Sequence, residues 1–192
     1  MAKRSEQARR VLEVLNARQA DAGTGKWFDH ILDALPAGSE LDPDTLLALE
    51  SHLRGGYGSE YLKIGSDFAE HLRFWKTLAG RFPENPKLGA IYADTLLIGG
   101  HIPEAMDEFL RAFEREPTLL YEFGGELYDY MKQMGGRRWL GYRLTTVRAA
   151  MAEASGNGDT IRQQLEDIRR EFMGDPEAMR EIAKLASEAS RK

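Results

Sequence analysis

The chain holds 192 residues, 42% hydrophobic and 30% charged, with a net charge of −5 and no cysteine. That composition excludes wholesale disorder, and the missing cysteines exclude disulfides, thiolate nucleophiles and Cys-ligated zinc or iron–sulfur sites. The acidic balance gives no reason to expect nucleic acid, and no apolar run approaches the ~20 residues of a membrane span.

The basic stretch Met1–Arg10 has no apolar core behind it, because Glu13 interrupts Val11–Leu15. No secretory leader is expected, and a cytoplasmic setting fits. One domain over 1–192 is the expectation for this length. Helical periodicity dominates the rest. Ser5–Gln19 places Ala8, Val11, Leu12 and Leu15 on one face, and Asp21–Gly25 breaks it. Trp27, Ile31, Leu32 and Leu35 predict a second short helix, stopped by Pro36–Gly38. Asp42-Pro43 reads as an N-cap followed by a proline in the first turn. Leu46, Leu47, Leu49 and Leu53 form the stripe behind it.

Ser59–Phe82 reads as one long helix, with Tyr61, Ile64, Phe68, Leu72, Trp75, Leu78 and Phe82 at three- and four-residue steps. Helices are then predicted over Lys87–Ile98, Pro103–Glu116, Thr118–Met134 and Arg137–Ala154. Ser155–Gly158 reads as a linker. Asp159 is expected to cap a helix carrying Ile161, Leu165, Ile168 and Phe172, and Gly174–Pro176 separates it from a last helix over Glu177–Ala189. These last two helices, within 159–192, are expected to cap the structure.

Gly-Gly pairs follow three of the helices, at Gly55-Gly56, Gly99-Gly100 and Gly135-Gly136. A glycine after a helix end supplies the left-handed cap. Gly55 and Gly99 lie 44 residues apart, Gly99 and Gly135 lie 36 apart, and Pro83 and Pro117 lie 34 apart. Such spacings mark stacked helical hairpins, each hiding its apolar face on a neighbour.

Between Pro86 and Pro117 the chain carries Ala93, Gly100, Ala105, Phe109, Ala112 and Pro117. In that register it resembles a tetratricopeptide repeat. Within that segment Gly89 stands in place of the usual large aromatic; the preceding unit has His71 and Leu78 where alanine is usual, and the following one has Leu140 and Leu144 where alanine and an aromatic are usual. The resemblance implies an all-α solenoid: N-terminal helices over 1–38, three hairpins over 42–154, and the C-terminal pair. It also implies protein binding on a concave groove rather than catalysis, with no cofactor. Groove positions would be Lys87, Ala90, Asp94, Leu97 and Ile98 on one helix and Glu122, Gly125, Asp129 and Lys132 on the next. Family members that clamp a C-terminal carboxylate use Lys and Asn there. Ala90 and Asp94 argue against that clamp, and a mixed apolar and acidic groove suits a basic or amphipathic helix. The plainer reading buries Leu97 and Ile98 against a neighbouring helix.

Glu104–Asp129 holds eight acidic and two basic residues, whereas Arg137, Arg138, Arg143 and Arg148 follow with no acid, interleaved with Trp139 and Tyr142. Arginines beside aromatics can grip phosphates and stack bases. They can equally pair within the chain or meet an acidic protein, and the pairing reading is preferred. Asp29, His30 and Asp33 form the one carboxylate–imidazole grouping a metal could use, and His71 follows Glu70. Neither makes a metal motif. The glycines at Gly55–Gly58 lack the flanking strand and Lys-Ser/Thr of a phosphate loop. Gly124-Gly125 reads as a close-packing point inside a helix. Phe74 and Trp75 are neighbours on one helix and cannot both face the same way, so one of them is a candidate for an interface or for a contact between repeats. The expected function is a cytoplasmic adaptor with a protein or peptide partner. The alternatives are a structural subunit of a complex or homo-oligomer, then a metal-dependent enzyme or nucleic-acid binder.

Overall fold

Asparagine, aspartate and proline set where several helices begin. In the computed structural model, which describes residues 5–17, 27–35, 40–53, 68–125, 127–153 and 158–191, every regular element among the described residues is a helix. The described chain divides into two compact units, Met1–Gly100 and His101–Lys192. The division falls between Gly100 and His101, inside the segment that resembles a repeat, in a chain whose length predicts one domain.

The first unit contains α1 (Glu6–Ala17), α2 (Trp27–Ala34), α3 (Pro43–Leu53), α4 (Phe68–Arg81) and α5 (Pro86–Ile98). The Ser5 hydroxyl accepts the Ala8 N–H at the start of α1. Asp42 does the same for α3, taking the Thr45 N–H at 3.0 Å, and Asn85 takes the Lys87 N–H ahead of α5. Replacing Asp42 by alanine leaves that donor without its cap and should cost about 1 kcal/mol. Thermal unfolding checks it, and an unchanged melting temperature would mean α3 does not depend on the cap.

Helix α1 packs on α2 and α3, α2 packs on α4, and α4 pairs with α5. The Trp27 indole donates to the Val14 carbonyl at 3.1 Å, tying α2 to α1. Arg81 at the end of α4 donates to the Leu32 carbonyl in the last turn of α2. That carbonyl also accepts the Leu35 N–H at 3.4 Å, and cations suit the carbonyls at a helix end.

Between α2 and α4 lies an aromatic cluster. The Phe28 and Phe74 rings stand 4.9 Å apart, and Phe74 meets Trp75 edge-on at 5.1 Å. Phe74 and Trp75 are both fully buried. Neither faces an outside interface, and the alternative expectation of a contact with a neighbouring helix pair fits: α4 is covered by α2 as well as by α5, so two adjacent positions both point inward. The beginning of the long helix predicted from Ser59, with Tyr61, Ile64 and Gly65, lies outside the described residues, as do Gly55–Gly58.

The second unit contains α6 (Ile102–Arg115), α7 (Leu119–Phe123), α8 (Leu127–Met134), α9 (Gly136–Ala152), α10 (Gly158–Glu171) and α11 (Pro176–Ala189). The expected inward residues of α6, Ala105, Phe109, Ala112 and Phe113, are all buried. Thr118–Met134 is not one helix. It breaks at Gly124, whose N–H reaches the Leu120 carbonyl at 2.7 Å, and a Cβ there would lie 2.3 Å from that oxygen. Only glycine lets the chain turn so tightly there, so Gly124 ends α7 rather than easing packing within a helix.

Gly100, Gly135 and Gly136 have φ of 78°, 64° and 54°. Gly100 follows the end of α5 with the positive φ expected of a glycine cap. Gly135, after α8, pairs its positive φ with a ψ of −163°, an extended glycine-only conformation rather than the expected left-handed cap. Asp159 lies within the first turn of α10 rather than ahead of it and pairs with Arg162 at 2.7 Å. Asp175 caps α11, accepting the Glu177 and Ala178 N–H groups at 2.9 and 3.0 Å.

Helix α9 runs through the middle of this unit, packed by α6, α7, α8, α10 and α11. Gly141 makes room for α6: a Cβ there would meet the Leu110 side chain at 3.3 Å. On its other side Leu140, Leu144 and Val147 join Ile161, Leu165, Ile168, Ala178, Ile182 and Leu185 in one core. The C-terminal helix pair thus closes over α9 through apolar side chains.

Candidate partner-binding surfaces

The two sets of expected groove residues belong to different units. In the first unit, Lys87, Asp94, Leu97 and Ile98 ride on α5. The Lys87 ammonium pairs with Glu50 of α3 at 3.2 Å. Ala90 and Ile91 share that face of the helix and are fully buried. Ala90 therefore is not a groove residue, and its methyl belongs to the core. The face opens only toward the helix end, where Asp94 and Leu97 are half-buried and Ile98 is 44% exposed. Burial thus decides position by position, with Ile98 outside and Leu97 between.

In the second unit Glu122, Gly125, Asp129 and Lys132 are exposed on and between α7 and α8. Two tyrosines stand out with them. Tyr121 is 56% exposed and Tyr128 is 42% exposed. Partial burial, then the Glu153 carboxylate, push the Tyr121 hydroxyl above its ordinary pKa. The Lys132 ammonium lies 5.6 Å from the centre of the Tyr128 ring.

The arginines of α9 face carboxylates. Arg138 forks onto Asp107 of α6 through Nε at 2.6 Å and Nη2 at 2.8 Å. Arg137 reaches Glu181 at 2.7 Å and also Glu177, both on α11. Arg143 lies 5.3 Å over the Trp139 ring and 3.6 Å from Glu171. The Trp139 indole N–H donates to that same glutamate. Tyr142 is buried, stacks on Trp139 at 5.9 Å and donates its hydroxyl to the Gly124 carbonyl at 3.3 Å. Burial, then the neighbouring Tyr128, raise its pKa. Arg148, the last of the series, is half-buried. A guanidinium already forked on a carboxylate must give up a charge-assisted pair before gripping a phosphate. Buried rings offer no face to a base. The pairing within the chain is what Arg137, Arg138 and Arg143 display.

The Asp107–Arg138 pair has a pH signature. Hydrogen bonding to Arg138 first, against some desolvation, holds the Asp107 carboxyl below its ordinary pKa. A lowered folded-state pKa adds stability above the unfolded value of about 4, lost as pH falls through the folded one. Both side chains are more than a third exposed, so the gain is screened to less than about 1 kcal/mol. Asp107→Asn should therefore lower stability slightly at pH 7 and not at pH 2. An equal loss at both would assign the effect to packing.

His30 and Asp33 are exposed, and Asp29 pairs with Arg73 at 3.3 Å. Among the described residues no three His, Asp or Glu come together as a metal-ligand set. The acidic partners Asp107, Glu171, Glu177 and Glu181 were not singled out in the sequence. Asp107 lies in the acidic stretch that precedes the arginines, and the Glu177/Glu181 spacing of four, one helical turn, carries a further hint. Compared with known proteins, the chain matches no family model, no curated protein and no solved structure.

Proposed function

We propose that this chain is a non-catalytic interaction module that binds a protein or peptide partner on preformed helical surface. The observation that carries the reading is the end of α5, where the acid Asp94, half-buried Leu97 and exposed Ile98 lie together within two helical turns. An apolar residue beside a carboxylate on a rigid helix suits an amphipathic helical segment with basic residues. The tetratricopeptide-like register of Pro86–Pro117 is part of the same proposal. Its small and aromatic positions are buried within their own units, Ala93 in the first and Ala105, Phe109 and Ala112 in the second. A cytoplasmic setting fits a chain without cysteine.

A second reading, a subunit of a larger assembly or homo-oligomer, is favoured by Leu47, which is 62% exposed on α3. One experiment separates the two. The wild type and an Asp94→Lys, Leu97→Asp variant, shown by circular dichroism to be equally folded, are each used to purify partners from native lysate. A partner enriched by the wild type and lost with the variant supports the module. Partners retained by both, or recovery of self-copies only, overturns the α5 surface and moves the reading to the assembly subunit.

A further inference from the structure

Three of the four histidines, His30, His52 and His101, are exposed, whereas His71 is 3% exposed inside the aromatic cluster of the first unit. Its ring meets Phe28 edge-on at 5.5 Å and lies 6.2 Å from Trp75. The Trp75 indole N–H donates to His71 Nε2 at 3.0 Å. An indole nitrogen can only donate, so Nε2 presents its lone pair and the imidazole is neutral, with its one N–H on Nδ1.

We infer that this contact makes the packing of the first unit proton-sensitive, with His71 as the switch. A proton on Nε2 would set two N–H donors against each other across 3.0 Å. It would also place a cation among Phe28, Phe74 and Trp75, where little water can solvate it. Acid therefore works against the same cluster that joins α2 to α4. The titratable groups on the helices packed against α4 are Asp29, His30 and Asp33 of α2 and Lys87, Tyr92 and Asp94 of α5. Glu70, Arg73, Lys76 and Arg81 lie on α4 itself. Of these, Asp29 is paired with Arg73 and Lys87 with Glu50.

The direction follows from proton binding. Unfolded imidazole takes its proton near pH 6.5, and the folded site disfavours that proton. Below this value the unfolded state binds more protons, so stability is full above about 6.5 and falls as pH drops below it. Between pH 7.5 and 5.5 the folding equilibrium constant should fall by up to about tenfold from this residue alone.

The test is urea unfolding followed by tryptophan fluorescence at both pH values, for wild type and His71→Gln. Glutamine's Oε1 can accept the indole N–H and does not titrate. The wild type is expected to lose more in its folding constant than the variant, by up to about tenfold, and equal losses overturn the inference. If His71→Gln does not fold, the imidazole nitrogen resonances of the folded wild type decide. A lone proton on Nδ1 of His71 at pH 5.5, with the exposed histidines charged, supports the switch. His71 titrating together with them overturns it.

Discussion

A chain lacking residues 159–192 is expected to aggregate, or to melt far below the full-length protein. The deletion removes Ile161, Leu165, Ile168, Ala178, Ile182 and Leu185, and it opens Leu140, Leu144 and Val147 to water. Burying one such aliphatic side chain contributes about 1.5–3 kcal/mol. Six of them amount to on the order of 10 kcal/mol, as large as the whole stability of a typical domain at about 5–15 kcal/mol. Ion pairs from Arg137 to Glu177 and Glu181 go as well, but exposed pairs add little beside the core. Light scattering and differential scanning calorimetry read the outcome. A soluble truncated chain with an unchanged melting temperature would mean that α10 and α11 do not close the core of the second unit.

Trp75→Ala is expected to be the most damaging single substitution in the first unit. Trp75 is fully buried, packs edge-on against Phe74 and donates to His71. Cutting a buried aromatic to alanine costs about 3–5 kcal/mol through lost transfer energy and the cavity left behind. The substitution also leaves the His71 acceptor without its donor, which adds to the loss when no water replaces it. Urea denaturation should show the midpoint falling with the slope unchanged. Trp75→Phe keeps most of the volume, so it should lose less than the alanine variant. A loss under about 1 kcal/mol for Trp75→Ala would contradict the packing of the cluster.

Helix positions were legible because local rules fix them. Asp42-Pro43 announces α3 through a side-chain cap and a ring-locked φ, and the same pairing in Asp175-Pro176 opens α11. The three- and four-residue spacing of apolar residues gave α6 its inward face correctly. What failed depends on distance. Phe74 and Trp75 both turn inward because another helix covers each side of α4, and no local spacing reports that. Gly124 ends α7 because of one backbone contact, although the apolar spacing continues through it. The repeat register implied by the resemblance made Ala90 a groove position and it is core, since a register does not tell which side neighbours occupy.

The candidate surfaces followed the same division. The interleaving of Arg137, Arg138, Arg143, Trp139 and Tyr142 was plain in the sequence, yet its meaning lay with partners far along the chain. Asp107 pairs with Arg138 across 31 residues and Glu181 with Arg137 across 44. A run of like charges has one appearance whether it faces solvent, phosphate or its own carboxylates. Only the fold chooses among them.

The central place of α9 also bears on how the second unit comes to exist during synthesis. Helices α6, α7 and α8 leave the ribosome before the helix that all three pack against. Until α9 follows, Phe109, Phe113, Leu127 and Met131 have no complete core to enter. Assembly of this unit therefore waits on a late segment and then gathers both earlier and later helices around it. The interval between is when the nascent chain offers most to chaperones, and codon choice across 136–152 would set its length.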